Sequence, residues 1–534
     1  MPVAQAGTLN TTALVVPDIY VQIVPPRDLT LNGVPTNVVG VVGTASWGPV
    51  GEPVIIGDAS MYFQAFGPVR PVRYDMGTQV STAIRQGASD FRCVRVTDGT
   101  DAAATGGFWT GAPGVPGTQN IAFFARCTGT VGNQVGVSLA SGSRAGTWQV
   151  IVSFPGRQPE VFDNIAGPAG TTSAANGAFW GRVRAAINTG AGNLRGPSQS
   201  VFAGAGDTTA FGPPVATTAP ALLTGGADGG AVNAGHIIGQ DVPTRAGMYA
   251  LREQGCSIGV LADLTDTAQW TTVAQFGLDQ GIYMILCGPP GDTIQAAITA
   301  KQAAGLDTYA VKLMFGDWVY WQDQANAMLR LVSPQGFVAG RLANLSPEQS
   351  PLNKPLYDVS ATQKSGLPGT GRATTYTGAE LAALLKNGID VIANPQPGGG
   401  YYGVRGGYNT SSSPDVRQDT YTRMTNYLAA TIAAGMGRYV GQVINDDLFR
   451  RMRATVLSFL GTLLQQGLLG RLGGDLPYAV KCDVRNNPLD RTTLGYTQVD
   501  AQVRYQATNE KLIVNLEGGQ TVQVSRQLLP NGQQ

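Results

Sequence analysis

The chain has 534 residues, 72 of them glycine and 32 proline, with 13% charged residues, a net charge of +1, five cysteines and one histidine, His236. At roughly 100–200 residues per domain this is a chain of about three domains, and its charged fraction is about half the ~25% usual for soluble domains. A charge so near zero excludes an electrostatic nucleic-acid binder, which needs a basic surface, and one histidine excludes a His-rich metal site or a two-histidine acid–base pair.

A surface this poor in charge is expected where copies of the same chain cover it. All seven lysines lie at or after Lys301. Cys93, Cys127, Cys256, Cys287 and Cys482 are far apart without a CxxC pair, which predicts reduced, buried thiols in a cytoplasmic protein. The first arginine is Arg27, so no basic n-region marks a signal peptide. The longest apolar stretch, Ala454–Leu464, has core-helix length and not membrane-spanning length.

In chain order, Thr12–Val24, broken by Pro17, reads as a peripheral strand or arm. Val38–Val42, Val54–Ile56 and Phe91–Val96 read as strands, with helices at Ser60–Phe66 and Tyr74–Gln86. From Thr97 to about Gly235 the texture turns to Gly, Ala, Thr, Ser and Pro. Short strands at Ile121–Arg126 and Thr147–Phe154 and a helix near Ala178–Ile187 predict a mostly β insertion, with Gly204–Gly235 as its return linker.

Strand and helix then alternate, which predicts a parallel sheet with crossover helices. The strands are Ser257–Ala262, Tyr283–Cys287, Ala310–Phe315 and Asp390–Ala393. The helices are Asp266–Asp279, Asp292–Ala304 (with Asp292 as a cap), Pro334–Leu342 and Thr377–Lys386. A Gly/Tyr-rich loop, Pro395–Asn409, precedes two long helices, Val416–Met436 and Asp446–Leu469. The second has Asn445 at its cap, Asp446 and Asp447 in its first turn, and an apolar face of Leu448, Met452, Val456, Phe459, Leu460, Leu463 and Leu464. The tail reads as β at Tyr478–Asp483, Tyr496–Tyr505, Lys511–Leu516 and Thr521–Val524.

Motifs of catalysis fail on context. Gly255-Cys256-Ser257-Ile258-Gly259 matches a nucleophile elbow, but Ser257 opens a strand and His236 precedes it. Gly398, Gly400 and Gly403 satisfy G-x-G-x-x-G without a helix to receive a pyrophosphate. Neither a catalytic residue, a metal ligand nor a cofactor is assigned. Arg450, Arg451 and Arg453 read as a solvated basic face or as a dock for an acidic partner.

The order of these parts resembles the contractile tail sheath proteins of myophages, R-type pyocins and related injection machines. Asp18-Ile19-Tyr20-Val21 stands where sheaths carry an N-terminal arm motif, with Asp18 in place of the usual glycine. Gly33–Thr36, Val41–Gly43, Gly48–Val54 and Ser60–Gly67 are similar to the family's opening. Ser333–Gly340 and Ser350–Pro355 resemble its middle helix and following turn. Asn387–Ile392, Gly467–Gly470, Val480–Asp483 and Asn486-Asn487 resemble its closing motifs.

The resemblance implies an α/β multidomain protein. Its parts would be an inner core domain from N- and C-terminal segments, a subtilisin-like middle domain with a parallel sheet, a mostly β outer insertion and extended arms. The divisions expected are 1–24 (arm), 25–100 (core segment), 101–235 (insertion), 236–393 (middle domain), 394–510 (C-terminal sheath domain) and 511–534 (arm). It further implies a non-enzymatic subunit of hexameric rings stacked around a tail tube, contracting to drive genome ejection. Such a protein is assembled in the host cytoplasm and resides in the virion. Its partners would be further copies, the tube, and baseplate and terminator or neck proteins, with no direct nucleic acid, no membrane insertion and no cofactor.

Inter-subunit strand addition would involve Ile19, Tyr20, Val21 and Ile23 at one end, and Leu512, Ile513, Val514, Leu516, Val522 and Val524 at the other. Arg450, Arg451 and Arg453 are the candidate tube contacts. A hydrolase with a subtilisin-like domain, and another self-assembling virion protein such as a tube or capsid subunit, are the alternative readings.

Overall fold

A computed structural model describes residues 31–109, 115–191, 195–367, 374–394, 400–470 and 474–516, and the backbone of 3–4 and 21–22. A seven-stranded sheet runs through its middle. Its strands are β1 (Val39–Gly43), β2 (Pro53–Ile56), β3 (Phe91–Arg95), β4 (Ile258–Leu261), β5 (Tyr283–Cys287), β6 (Val311–Met314) and β7 (Ile389–Asp390), in the spatial order β7-β6-β5-β4-β1-β3-β2. Neighbours run parallel except at the edge, where β2 is antiparallel to β3.

The strands read as nearly unbroken apolar runs because both faces are covered. Val39, Val41, Phe91, Cys93, Val260 and Ile285 point into one core, under the helices Ala59–Phe66, Met76–Arg85 and Gln335–Ala343. Val38, Val42, Val94, Leu261, Met284 and Leu313 alternate into a second core, under Trp270–Gln280, Ile294–Ala303 and Gly378–Lys386.

The sheet corrects one expectation. The segment 25–100 was expected to form an inner core with the C-terminal segments, yet its residues 39–95 supply three strands of the same sheet as residues 258–390. β1 is hydrogen-bonded to β4 because each carries a run of small and β-branched residues that only a central position can bury on both sides. Of this N-terminal segment, the lead-in to β1 meets the C-terminal helices: Val34 N donates to Thr431 Oγ1 at 3.2 Å, and Leu31 and Tyr427 pack against the same apolar cluster.

The insertion is mostly β, as read. It has sheets ordered Glu160–Ala166, Thr147–Ser153, Gly136–Ser141, Ala221–Leu222 and Val201–Ala205, Gln119–Thr128, Ala103–Trp109, with the α-helix Ser173–Thr189. Its core is its own except for Trp47, which reaches in from the body to Phe154, with ring centroids 5.1 Å apart. The stretch 204–235 is not a plain linker. Gly204-Ala205 end a strand, Ala221–Leu222 pair with Val137 and Gly136, and Thr224 and Ala227 bridge Thr105 and Ala102. Small residues let the returning chain lie flat against those edges.

Other differences are local. Thr293, not Asp292, caps Ile294–Ala303 by accepting from Ala296 N. A three-stranded antiparallel sheet of Met328–Val332, Val319–Asp323 and Val359–Thr362 follows β6 and was not foreseen. Two long helices, α1 (Asp419–Met436) and α2 (Asp446–Gln465), are followed by the paired strands Tyr478–Lys481 and Asp500–Val503. Lys511–Leu516, read as a strand, lies in no sheet among the described residues. Thr521–Val524 lie outside the described residues. Among those described, no helix is long and apolar enough to cross a membrane.

Candidate functional site

Asn445 caps α2 by accepting from Leu448 N, and Asp446 and Asp447 occupy its first turn, where carboxylates suit the helix dipole. Leu448, Met452, Val456, Phe459, Leu460 and Leu463 are buried as the periodicity required. That burial turns the arginines outward, but not into one cluster. Arg450 and Arg451 share Asp447 at 3.6 and 2.9 Å, while Arg453 Nε donates 3.2 Å to the carbonyl of Val480 on the neighbouring strand. The first two are solvated charges of small energetic weight. The third pins a strand.

Of the expected arm residues, Ile19, Tyr20, Ile23, Val522 and Val524 lie outside the described residues. Val21–Gln22 pair parallel with Val3–Ala4 of the same chain. Leu512, Ile513, Val514 and Leu516 are 79, 83, 74 and 90% exposed. Elsewhere in the C-terminal part of the chain Val440, Val443, Leu489, Leu494 and Tyr496 are exposed by 66% or more. So much uncovered apolar surface marks an interaction region.

A group the sequence reading missed lies under this region. Lys312 on β6, fully buried, sits 2.6 Å from Asp390 on β7 and 2.7 Å from Asp419 at the start of α1. Tyr283 on β5 donates to Asp419. Burial alone would depress the ammonium, but the two carboxylates together hold it above its usual range. Arg423, one turn along α1, donates to the carbonyls of Ser346 and Leu345 at 2.9 and 2.7 Å, and burial lowers it to about 10. This dry ionic joint fastens α1 to the central sheet. The signal was a lysine inside the apolar run Ala310–Phe315 and an aspartate inside Ile389–Ala393, since a charge in a buried strand demands a partner.

In open α/β sheets, ligands sit at the carboxyl ends of the strands where the strand order reverses, here between β1 and β4. A cavity of about 460 Å³ lies there, lined by Arg73, Asp263, Thr265, Pro289, Trp318 and Arg330 among others. Its floor is closed by amides. Gln335 donates to the carbonyls of Leu261 and Ile285 at 3.0 and 2.8 Å and accepts from Asp263 N at 2.9 Å. Asp263 accepts from Gln79 Nε2 at 3.0 Å and Tyr74 N at 3.2 Å, and burial raises its carboxyl. Ser333 Oγ is tied into this network, meeting Gln79, Gln335 and the Asp263 carboxyl.

The elbow serine is likewise engaged, Ser257 Oγ donating to Val38 O at 3.1 Å. His236 closes a capping box, accepting from Asn233 N at 3.2 Å. Gly398 lies outside the described residues, and Gly403–Val404 form a strand against Ile392–Ala393 where a dinucleotide site needs a helix. All five cysteines are free, four of them buried, and burial raises the Cys256 thiol to about 12. Among the described residues no group of His, Cys, Asp and Glu is placed to hold a metal.

No protein-family model matches the sequence, and no curated protein matches it. Solved structures do. A sheath tail protein from Listeria innocua aligns with a TM-score of 0.57 at 14% identity, covering 85% of this chain and 90% of that one. One from Desulfitobacterium hafniense aligns at 0.54 and 16%, covering 86% and 92%. The helical sheath of the anti-feeding prophage in its contracted state aligns at 0.51 and 12%, covering 94% and 99%. Likeness of this extent, nearly end to end on both sides, gives the chain the fold of the contractile sheath proteins.

Proposed function

We propose that this chain is the structural subunit of a contractile tail sheath. It polymerises as stacked hexameric rings around a tail tube and contracts to drive the tube through a host envelope for genome ejection. The observation that carries this reading is the nearly full-length sharing of fold with sheath proteins. The exposed apolar tail, Leu512–Leu516, supports it as an arm that lacks a partner within its own subunit. The N-terminal segment with Ile19, Tyr20, Val21 and Ile23 is the second arm, and Val522 and Val524 continue the first.

Main-chain pairing between such arms links copies while leaving each free to move as a rigid body. In this reading the central sheet, built from residues 39–95 together with 258–390, belongs to the subtilisin-like middle domain, and residues 101–235 face outward. α2 lies toward the tube, with Arg450, Arg451 and Arg453 as candidate contacts. Of these, Arg450 and Arg451 are the exposed pair. Baseplate and terminator proteins bound the polymer at its ends, in the tail of a virion assembled in the host cytoplasm.

Negative-stain microscopy of the purified protein tests the proposal, with tubes showing six-fold end views as the expected result. Deleting residues 511–534 should leave folded subunits that no longer polymerise; long tubes from that truncation would refute the arm model. Replacing the three arginines with Glu should abolish co-assembly on tubes, and undiminished co-assembly would remove them from the tube contact.

A further inference from the structure

The C-terminal tail holds to the body up to one residue and leaves it at the next. Arg504 N donates to Pro477 O at 2.7 Å, and Gln506 Nε2 donates to Gly467 O at 2.7 Å. Four residues on, Glu510 accepts from Gln418 Nε2 at 2.8 Å and from the hydroxyl of Tyr408. Tyr408 and Gln418 face each other across an antiparallel bridge that closes the turn ahead of α1, so one carboxylate grips both sides of that turn.

The turn is itself fixed from beneath. Lys312 Nζ donates to Tyr408 O at 3.1 Å, Asp390 accepts from Gly407 N at 2.8 Å, and the Arg417 guanidinium lies 3.8 Å over the Tyr408 ring. Beyond Glu510, the apolar side chains from Leu512 to Leu516 are solvated.

We infer that Glu510 is the anchor of the C-terminal arm. Held by Tyr408 and Gln418, its carboxylate fixes where the free segment begins and passes a pull on that segment into the buried joint of Lys312, Asp390 and Asp419. The inference rests on the reading of the tail as an arm taken up by a second copy of this chain. Charge-assisted bonds of this kind hold direction as well as distance. Without them the chain is free back to Gln506, which adds about 13 Å of reach at ~3.3 Å per residue. A strand paired with a neighbour changes face with each residue of slip, so that slack costs the arm its register.

Trypsin cuts after Lys511, the residue next to the clamp, and supplies the test. Release of the fragment starting at Leu512, followed by mass spectrometry, should accelerate at least about tenfold in Glu510→Ala and in Tyr408→Phe, with cleavage elsewhere unchanged. That factor corresponds to ~1.4 kcal/mol of lost holding energy. The double variant should be no faster than Glu510→Ala, since both changes open one clamp. Unchanged cleavage at Lys511 in both single variants overturns the inference.

In assembly, Glu510→Ala should give shorter tubes that dissociate at higher protein concentration than wild type. Tubes equal in length and stability to wild type would overturn the anchor's role. A wild type that forms no tubes counts against the sheath reading alone, and the cleavage rates then decide the clamp by themselves.

Discussion

Asp75 is wholly buried at the N-terminus of the helix Met76–Arg85, where it accepts from Thr78 N at 2.8 Å and Thr78 Oγ1 at 2.7 Å, with Arg70 nearby. Burial outweighs those partners and raises its carboxyl to about 6. The unfolded chain protonates near 3.9. A native group raised above its unfolded value stabilises below the unfolded pKa and loses that contribution as pH rises through about 6. Asp75→Asn keeps an acceptor for the cap and has no charge to bury. Denaturant titrations should show the variant gaining about 2 kcal/mol on wild type between pH 4 and pH 7.5. Parallel curves would mean that Asp75 does not titrate in this range. Lys312 is the opposite case. Its charge is matched, so Lys312→Met strands the carboxylates of Asp390 and Asp419 in a dry site. The expected loss is about 3–5 kcal/mol, measured by equilibrium unfolding, with the loosened end of α1 visible as faster amide exchange at residues 419–424.

At the scale of elements, the helix Gln335–Ala343 shows why a local motif carries so much. Gly336 and Gly340 lie one turn apart and face the helix Met76–Arg85. A methyl group on Gly340 would stand 2.4 Å from the carbonyl oxygen of Ala83, and one on Gly336 2.6 Å from that of Gln79. Neither backbone can retreat, because both helices rest on the central sheet. Gly340→Val should therefore destabilise by about 3 kcal/mol or more. Gly378→Ala, at a helix start with open space around it, should be neutral or slightly stabilising. Equal effects in thermal melts would contradict this packing. Runs such as Tyr283–Cys287 were legible because a residue's own neighbours decide them; the close approach of Gly336 and Gly340 to Gln79 and Ala83, far away in the chain, was not. The strands Val319–Asp323 and Met328–Val332 were not, since their turn has no glycine: Ala327 takes φ 52° itself, and Asp323 holds Asn326 in place. Nor was the ionic joint, whose members are 78 and 107 residues apart in the chain. The arginines of α2 read as a solvated basic face or a dock, but their partners, Asp447 and the Val480 carbonyl, depend on which rotamers and which strand lie beside them.

For the whole molecule, the decisive feature is how the insertion is attached. Its two ends lie side by side, Ala102 and Ala227 exchanging backbone hydrogen bonds at 3.0 Å in both directions. Residues so placed can be joined by a two-residue hairpin turn. The body's claims on the insertion are few. Arg70 pairs with Asp228 at 2.7 Å, Arg95 donates to Thr128 O at 2.7 Å, and Trp47 fills the insertion's core. None of the seven central strands comes from it. Replacing residues 103–226 with Asn-Gly, and Trp47 with Ser so that no large apolar ring is left uncovered, should give a body that unfolds in one cooperative calorimetric transition. If residues 101–235 face outward in a sheath, this variant should still polymerise, into tubes of the wild-type bore and smaller outer diameter. A cooperative body that forms no tubes would show that the insertion carries contacts between copies. Tubes with unchanged outer diameter would place it elsewhere in the wall.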